Sequence, residues 1–196
     1  MLITRLLILF GFLFNSVNAK SALVDRQILE VETISYTQRQ FEIYFLVKQL
    51  LLSRNEKPEL VLRQENWSSA LEEYKNEVLI HQYMDQEAQR LSSLFPNKNM
   101  LETAYDMVQN RSHKVTVARE LIDRHQIRDE EIKRSLVQVL KVQNFLKSRI
   151  RLQEDEAPNQ NWGYDLDESA SWFFRIQQSL RYRFYEQARE YKEIRW

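Results

Sequence analysis

The chain has 196 residues, 28 of them basic and 28 acidic, with 43% hydrophobic residues, two glycines, three prolines and no cysteine. That apolar fraction suits a folded core rather than a disordered chain, and the balanced charge leaves no basic footprint for nucleic acid. Scarce glycine and proline favour long helices, and the missing thiols exclude disulfides, a thiolate metal site and a lipoprotein cysteine.

Residues 1–19 read as a secretory signal peptide. Arg5 supplies the positive start, residues 6–14 form an apolar run too short to span a bilayer, and Val17, Asn18 and Ala19 stand where a signal peptidase reads. Cleavage is expected after Ala19, giving a periplasmic protein with no stable membrane insertion; the alternative is an uncleaved anchor.

Residues 27–35 (QILEVETIS) carry Ile28, Leu29, Val31 and Ile34 in a partly alternating run, so a short extended segment is expected. Ser35 or Thr37 then caps a first helix bearing Phe41, Tyr44, Phe45, Val47, Leu51 and Leu52, which stops before Asn55 and Pro58. Asn66 is the expected N-cap of a helix over residues 67–94. Its apolar face broadens at Val78, Leu79 and Ile80, as it does where both sides of a helix are covered. Phe95, Pro96 and Asn97 stop it, and shorter helices are expected over residues 99–110 and 115–125.

Residues 128–152 (RDEEIKRSLVQVLKVQNFLKSRIRL) hold the strongest pattern. Ile132, Leu136, Val139, Leu140, Val142, Leu146 and Ile150 keep three-and-four spacing, with carboxylates in the first turn and cations in the last. A helix of about 24 residues is roughly 36 Å long, the spine of a small domain. Residues 153–167 (QEDEAPNQNWGYDLD) are a polar linker. Residues 167–196 then read as one returning helix, with Phe173, Ile176, Leu180 and Phe184 on one face. It is expected to pack on the spine and on the first helix, burying Trp172 and joining residues 20–152 and 168–196 in one domain. The fold class that follows is mainly all-α, with a long spine helix and one short N-terminal β segment.

No catalytic chemistry stands out. His81, His113 and His125 lack metal-ligand spacing, and Gly163 alone after residue 19 leaves no room for glycine-rich nucleotide or nucleophile motifs. No enzymatic activity, metal or other cofactor is expected.

Three stretches taken together resemble a known family. Residues 24–35 (VDRQILEVETIS) lead into a helix, residues 70–91 (ALEEYKNEVLIHQYMDQEAQRL) carry a Leu-Ile pair and a later Gln-Glu-Ala, and residues 168–184 (ESASWFFRIQQSLRYRF) return after the spine. This order is similar to the core domain of SurA-like periplasmic chaperones of outer-membrane proteins. It departs at Glu32 and Thr33, where the family has a glycine or asparagine turn. It departs again at residues 153–167, where family members carry parvulin-type prolyl isomerase domains. The resemblance therefore implies the client-binding half of such a chaperone without isomerase activity.

The expected function is ATP-independent holding of unfolded outer-membrane proteins, or other unfolded polypeptides, in an apolar and aromatic groove. Phe41, Tyr44, Phe45, Trp172 and Phe173 are its candidate client-binding walls. The alternative is a non-enzymatic envelope structural or interaction protein that uses the same apolar surface as a permanent homo-oligomer or complex interface. A membrane-surface role is weaker, because the helices lack a consistently lysine-rich polar face.

Overall fold

Isoleucine, leucine and valine at positions 28, 29 and 31 suit a pleated, half-buried surface, and they form the central strand of a small sheet. A computed structural model describes residues 25–54, 58, 60, 64–150 and 170–185. Strand β1 (Gln27–Val31) turns through Glu32 and Thr33 into β2 (Ile34–Thr37), and both are antiparallel. A third strand, β3 (Tyr182–Phe184), pairs antiparallel with the other side of β1, giving the order β2-β1-β3. Leu29 stands opposite both Tyr36 and Phe184, and Val31 opposite both Ile34 and Tyr182, so these rows share one face. The register slips between Gln27 and Leu29, and this bulge lets the consecutive Ile28 and Leu29 both be fully buried.

Thr37 caps helix α1 (Gln38–Leu52) through a reciprocal box. Its hydroxyl accepts from the Gln40 amide, and the Gln40 side chain accepts from the Thr37 amide at 2.9 Å. Helix α1 buries Phe41, Ile43, Tyr44, Leu46, Val47 and Leu50, which go round the helix rather than along one stripe. It shares the central position with α6 (Asp129–Ile150), the expected spine, which packs along it. The core has two lobes. One gathers the sheet, Trp67, Tyr74, Phe145 and Phe173, and the other gathers Ile43, Leu50, Ala104, Val108, Ile132 and Leu136. Helices α1 and α6 contribute to both lobes and join them.

Helix α2 (Gln64–Gln86) begins ahead of Asn66, so Asn66 lies inside the first turn and is not the cap. Val78, Leu79 and Ile80 are all buried, the two-sided covering that their run suggested. The helix does not continue to residue 94. It breaks at Glu87 and resumes as α3 (Ala88–Leu91) and a 3-10 turn over Ser92–Leu94. No glycine or proline lies there, and the main-chain bonds from Glu87 to Tyr83 and from Leu91 to Glu87 carry across the interruption. Beyond it Leu91, Leu94 and Phe95 lie against the core, and the Asn144 amide donates to the Leu94 carbonyl at 3.0 Å.

Asn97 caps α4 (Lys98–Lys114), its side chain accepting from the Met100 amide at 2.9 Å. Arg111 near the end of α4 donates to the carbonyls of Leu50 and Ser53 at 2.7 and 3.0 Å, capping α1 with a cation at its negative end. Helix α5 (Thr116–His125) closes through a left-handed Gln126, with the Ile127 amide donating to Ile122. Arg39 then gathers three helix ends. It grips Glu131 of α6 in two bonds of 3.1 and 3.2 Å and donates to the His125 carbonyl at 3.0 Å.

The returning segment differs from the expectation of one helix over residues 167–196. Helix α7 (Ala170–Ser179) stops, Leu180 turns, and Tyr182–Phe184 becomes β3. Helix propensities of tyrosine, arginine and phenylalanine differ by only tenths of a kcal/mol. Pairing with the open edge of β1 offers more, through main-chain bonds from Glu32 to Arg181 and from Tyr185 to Ile28. The chief partner of α7 is α2 rather than α1, and α7 meets the spine where Trp172 packs on Phe145. Trp172 is half-buried, not buried as expected. The expected signal peptide, the linker over residues 153–167 and the stretch after residue 185 lie outside the described residues.

Candidate functional site

Of the five expected wall residues, three belong to the core. Phe41 is 1% exposed, Tyr44 2% and Phe173 7%, so they have no surface to offer a client in this arrangement. Phe41 stacks edge-on against Trp67 at 5.1 Å and Tyr74 lies 5.1 Å from both Phe41 and Tyr44. Phe45 is half-buried against the same lobe. Aromatic residues on α1 read alike whether they build a core or line a groove, and here the sheet and α2 cover them.

Polar groups are set into this lobe. The Tyr44 hydroxyl donates to Glu77 at 2.8 Å, and Lys48 donates to Glu77 at 2.7 Å and pairs with Glu73 at 2.9 Å. Burial pushes Glu77 above the usual carboxylate range, with Lys48 pulling part of the way back. Burial alone would lower Lys48, but Glu77 and Glu73 outweigh it and hold the ammonium charged. Burial also lifts Tyr36 to about 12 and Glu42 to about 7. The Tyr44 hydroxyl, Lys48 and Glu77 satisfy one another within this network.

The surface that is left half-open lies where α2 breaks. Tyr83, Leu91, Leu94, Phe95 and Trp172 are all half-buried against the lobe that holds the fully buried Phe145. Tyr83 meets the Phe145 ring at 6.2 Å and Trp172 meets it at 5.4 Å, both edge-on. Phe174, next in sequence to Phe173, is 57% exposed. Three cations stand among these rings. Lys141 lies over Phe95 at 4.3 Å and is held by Asp85, which His81 also approaches at 3.0 Å. Burial alone would raise the Asp85 carboxyl, but His81 and Lys141 together bring it down to about 2. Arg90 donates to the Tyr83 hydroxyl and to Glu87 at 2.7 and 2.9 Å. Arg149 lies over Phe145 at 5.1 Å. Of the five expected residues, Trp172 alone is part of this group. Tyr83, Leu91, Leu94 and Phe95 were missed, because how far each is covered is decided by the tertiary packing and not by the local sequence.

Met100 and Met107, seven apart on α4, are also exposed, as is Val117 of α5. The Met100 sulfur lies 3.8 Å from the Asn144 amide that also donates to Leu94, so it borders the surface just described. Among the described residues no group of three or more histidine, aspartate and glutamate side chains is placed to hold a metal ion. No described helix is long and apolar enough to cross a membrane. Comparison of the chain with protein-family models, with curated proteins and with solved structures gave no match.

Proposed function

We propose that the protein is an ATP-independent periplasmic holdase that binds aromatic-rich segments of unfolded outer-membrane proteins and has no isomerase activity. The observation that carries this reading is the half-open aromatic surface of Tyr83, Leu91, Leu94, Phe95 and Trp172. Half-buried rings fixed on a rigid core present apolar area with little entropy left to lose on contact. A set of such contacts, each weak, suits a chaperone that releases its client without nucleotide, and it shields segments that would otherwise aggregate. The sequence resemblance to SurA-like chaperones and the signal-like residues 1–19 supply the location and the client class.

The test is light scattering of an outer-membrane protein diluted from denaturant with the mature chain in molar excess and no ATP. Aggregation should be delayed, and Trp172→Ala with Phe95→Ala should weaken the delay. Unchanged scattering with a folded protein would sink the proposal. The exposed apolar side chains of Met100, Met107 and Val117 favour a second reading, a structural or interaction protein of the envelope that uses its exposed apolar surface as a permanent interface. Sizing chromatography separates the two, since a concentration-independent oligomer supports the second.

A further inference from the structure

Resting on the holdase reading, we propose that Met100 is an oxidation site of the aromatic surface: a peroxide converts its thioether to a sulfoxide, and the surface then holds apolar segments less tightly. The chain has no cysteine and four methionines, so thioethers are its only sulfur. Met1 falls in the expected signal peptide. The other three differ in how far solvent reaches them. Met84 is fully buried in the lobe that holds Phe145, Met107 is exposed on α4, and Met100 is 40% exposed at the border of the surface. A dissolved oxidant reaches an exposed thioether and is kept from a buried one, so Met100 and Met107 are the reactive pair.

Only Met100 has contacts that couple the reaction to the surface. Its sulfur lies 3.8 Å from Nδ2 of Asn144, and the same nitrogen donates to the Leu94 carbonyl at 3.0 Å. Asn144 follows Lys141 by three positions on α6, and Lys141 lies over the Phe95 ring at 4.3 Å. Met100 is thereby tied to the Leu94 and Phe95 end of the surface. In the reaction a sulfur lone pair attacks one oxygen of hydrogen peroxide and the O–O bond breaks. That oxygen stays on sulfur, and the other leaves as water with both hydrogens of the peroxide; sulfur gives up two electrons and the peroxide takes them. A thioether is a weak acceptor, whereas a sulfoxide is polar and its oxygen accepts well. A carboxamide nitrogen carries two hydrogens, so Asn144 has one for Leu94 and one for the new oxygen. The sulfoxide is met without breaking the Leu94 bond, and the fold is kept. What changes is the surface. A flexible apolar side chain that adapts to varied partners becomes polar, and an apolar segment has to strip water from it to lie there. Reduction of the sulfoxide restores the thioether, so the effect is reversible.

The experiment treats the full mature chain with hydrogen peroxide, removes the peroxide by desalting, and measures binding of a dye-labelled decapeptide by fluorescence anisotropy. In the peptide, phenylalanine and tyrosine alternate with serine. Peptide mapping by mass spectrometry should find Met100 and Met107 oxidised and Met84 intact. The oxidised chain should bind about three- to tenfold more weakly, with its circular dichroism and unfolding midpoint unchanged. Met107→Leu should lose affinity on oxidation as the parent does, and Met100→Leu should not. Methionine sulfoxide reductases with a dithiol should return the oxidised parent to full affinity. Met100 left intact while Met107 oxidises, an affinity unchanged by oxidation, or a loss that persists in Met100→Leu overturns the proposal. A loss that comes with unfolding overturns it too. In each of these cases, peptide binding by the reduced chain leaves the holdase surface standing. No binding by the reduced chain overturns the holdase reading and the oxidation site together.

Discussion

The turn between β1 and β2 places a non-glycine residue in left-handed backbone, with Glu32 at φ 55°. A residue with a Cβ costs about 1 kcal/mol there relative to glycine. The structure offers a reason for keeping glutamate. Its amide donates to the Arg181 carbonyl at 2.7 Å, and its carboxylate accepts from the Arg181 amide at 2.9 Å. Glu32 therefore clasps the hairpin to the returning segment just before β3. The main-chain half of the clasp survives any substitution except proline. The carboxylate half is charge-assisted but exposed, which puts it at about 1 kcal/mol. Glu32→Ala keeps the backbone strain and loses the carboxylate bond, so it should destabilise by about 1 kcal/mol, a drop of roughly 2–4 °C in a domain of this size. Glu32→Gly loses the same bond but relieves the strain, and should fall within about 0.5 kcal/mol of the parent. Urea denaturation followed by circular dichroism measures both. If alanine and glycine lose equally, the strain argument is wrong; if alanine loses nothing, the clasp is not a stabilising contact.

Other substitutions test other parts. Glu42 stands at about 7 in the folded chain against an ordinary 4.5, so the folded state holds its proton more tightly than the unfolded state. Its contribution is fully present below pH 4.5 and is lost as pH rises to 7, by at most about 3 kcal/mol. Glu42→Gln should flatten stability across that window, and an unchanged profile refutes the assignment. Lys48→Met leaves Glu77 buried without its cation and should cost about 3–5 kcal/mol at alkaline pH, and less as pH falls, because burial already favours the protonated Glu77 carboxyl; a pH-independent loss measured by denaturation argues against this. Phe145→Ala empties the fully buried centre of the aromatic group and should cost about 3–5 kcal/mol. Trp172→Ala, half-buried, should cost clearly less in the same unfolding assay, and an equal loss would show that its ring is core rather than surface.

The spine helix was legible because period, acidic start and basic end agree over residues 128–152, and α6 covers Asp129–Ile150 of that stretch, residues 151 and 152 lying outside the described residues. The first helix was legible through the Ser35/Thr37 step ahead of it; the structure settles the cap on Thr37, with Gln40 closing the box. The two places that misled share a cause. Nothing local at Glu87 or at Leu180 forbids helix, and both departures come from partners far along the chain: Asn144 and the core for one, β1 for the other. The wall residues followed from the same limit. Phe41, Tyr44 and Phe173 have the right chemistry for a groove, but burial is decided by what packs over them. The single hint of the open surface was Phe95 and Pro96, an aromatic residue placed at a helix stop.

The place of β1 in the sheet also sets an order of events. Its pairing with β2 closes a two-residue turn and can form as soon as residue 37 is available. Its pairing with β3 joins positions 149 and 155 residues apart, as Arg181 with Glu32 and Tyr185 with Glu30. Closing a flexible loop of that length costs about 4–5 kcal/mol in chain entropy, an amount the three residues of β3 recover only once α7 has docked. A chain emerging from its amino end thus carries the hairpin with one bare edge until nearly all of it has been delivered. During that interval the edge is open to any extended segment nearby, and the arrival of residues 182–184 is the step that makes the sheet the chain's own.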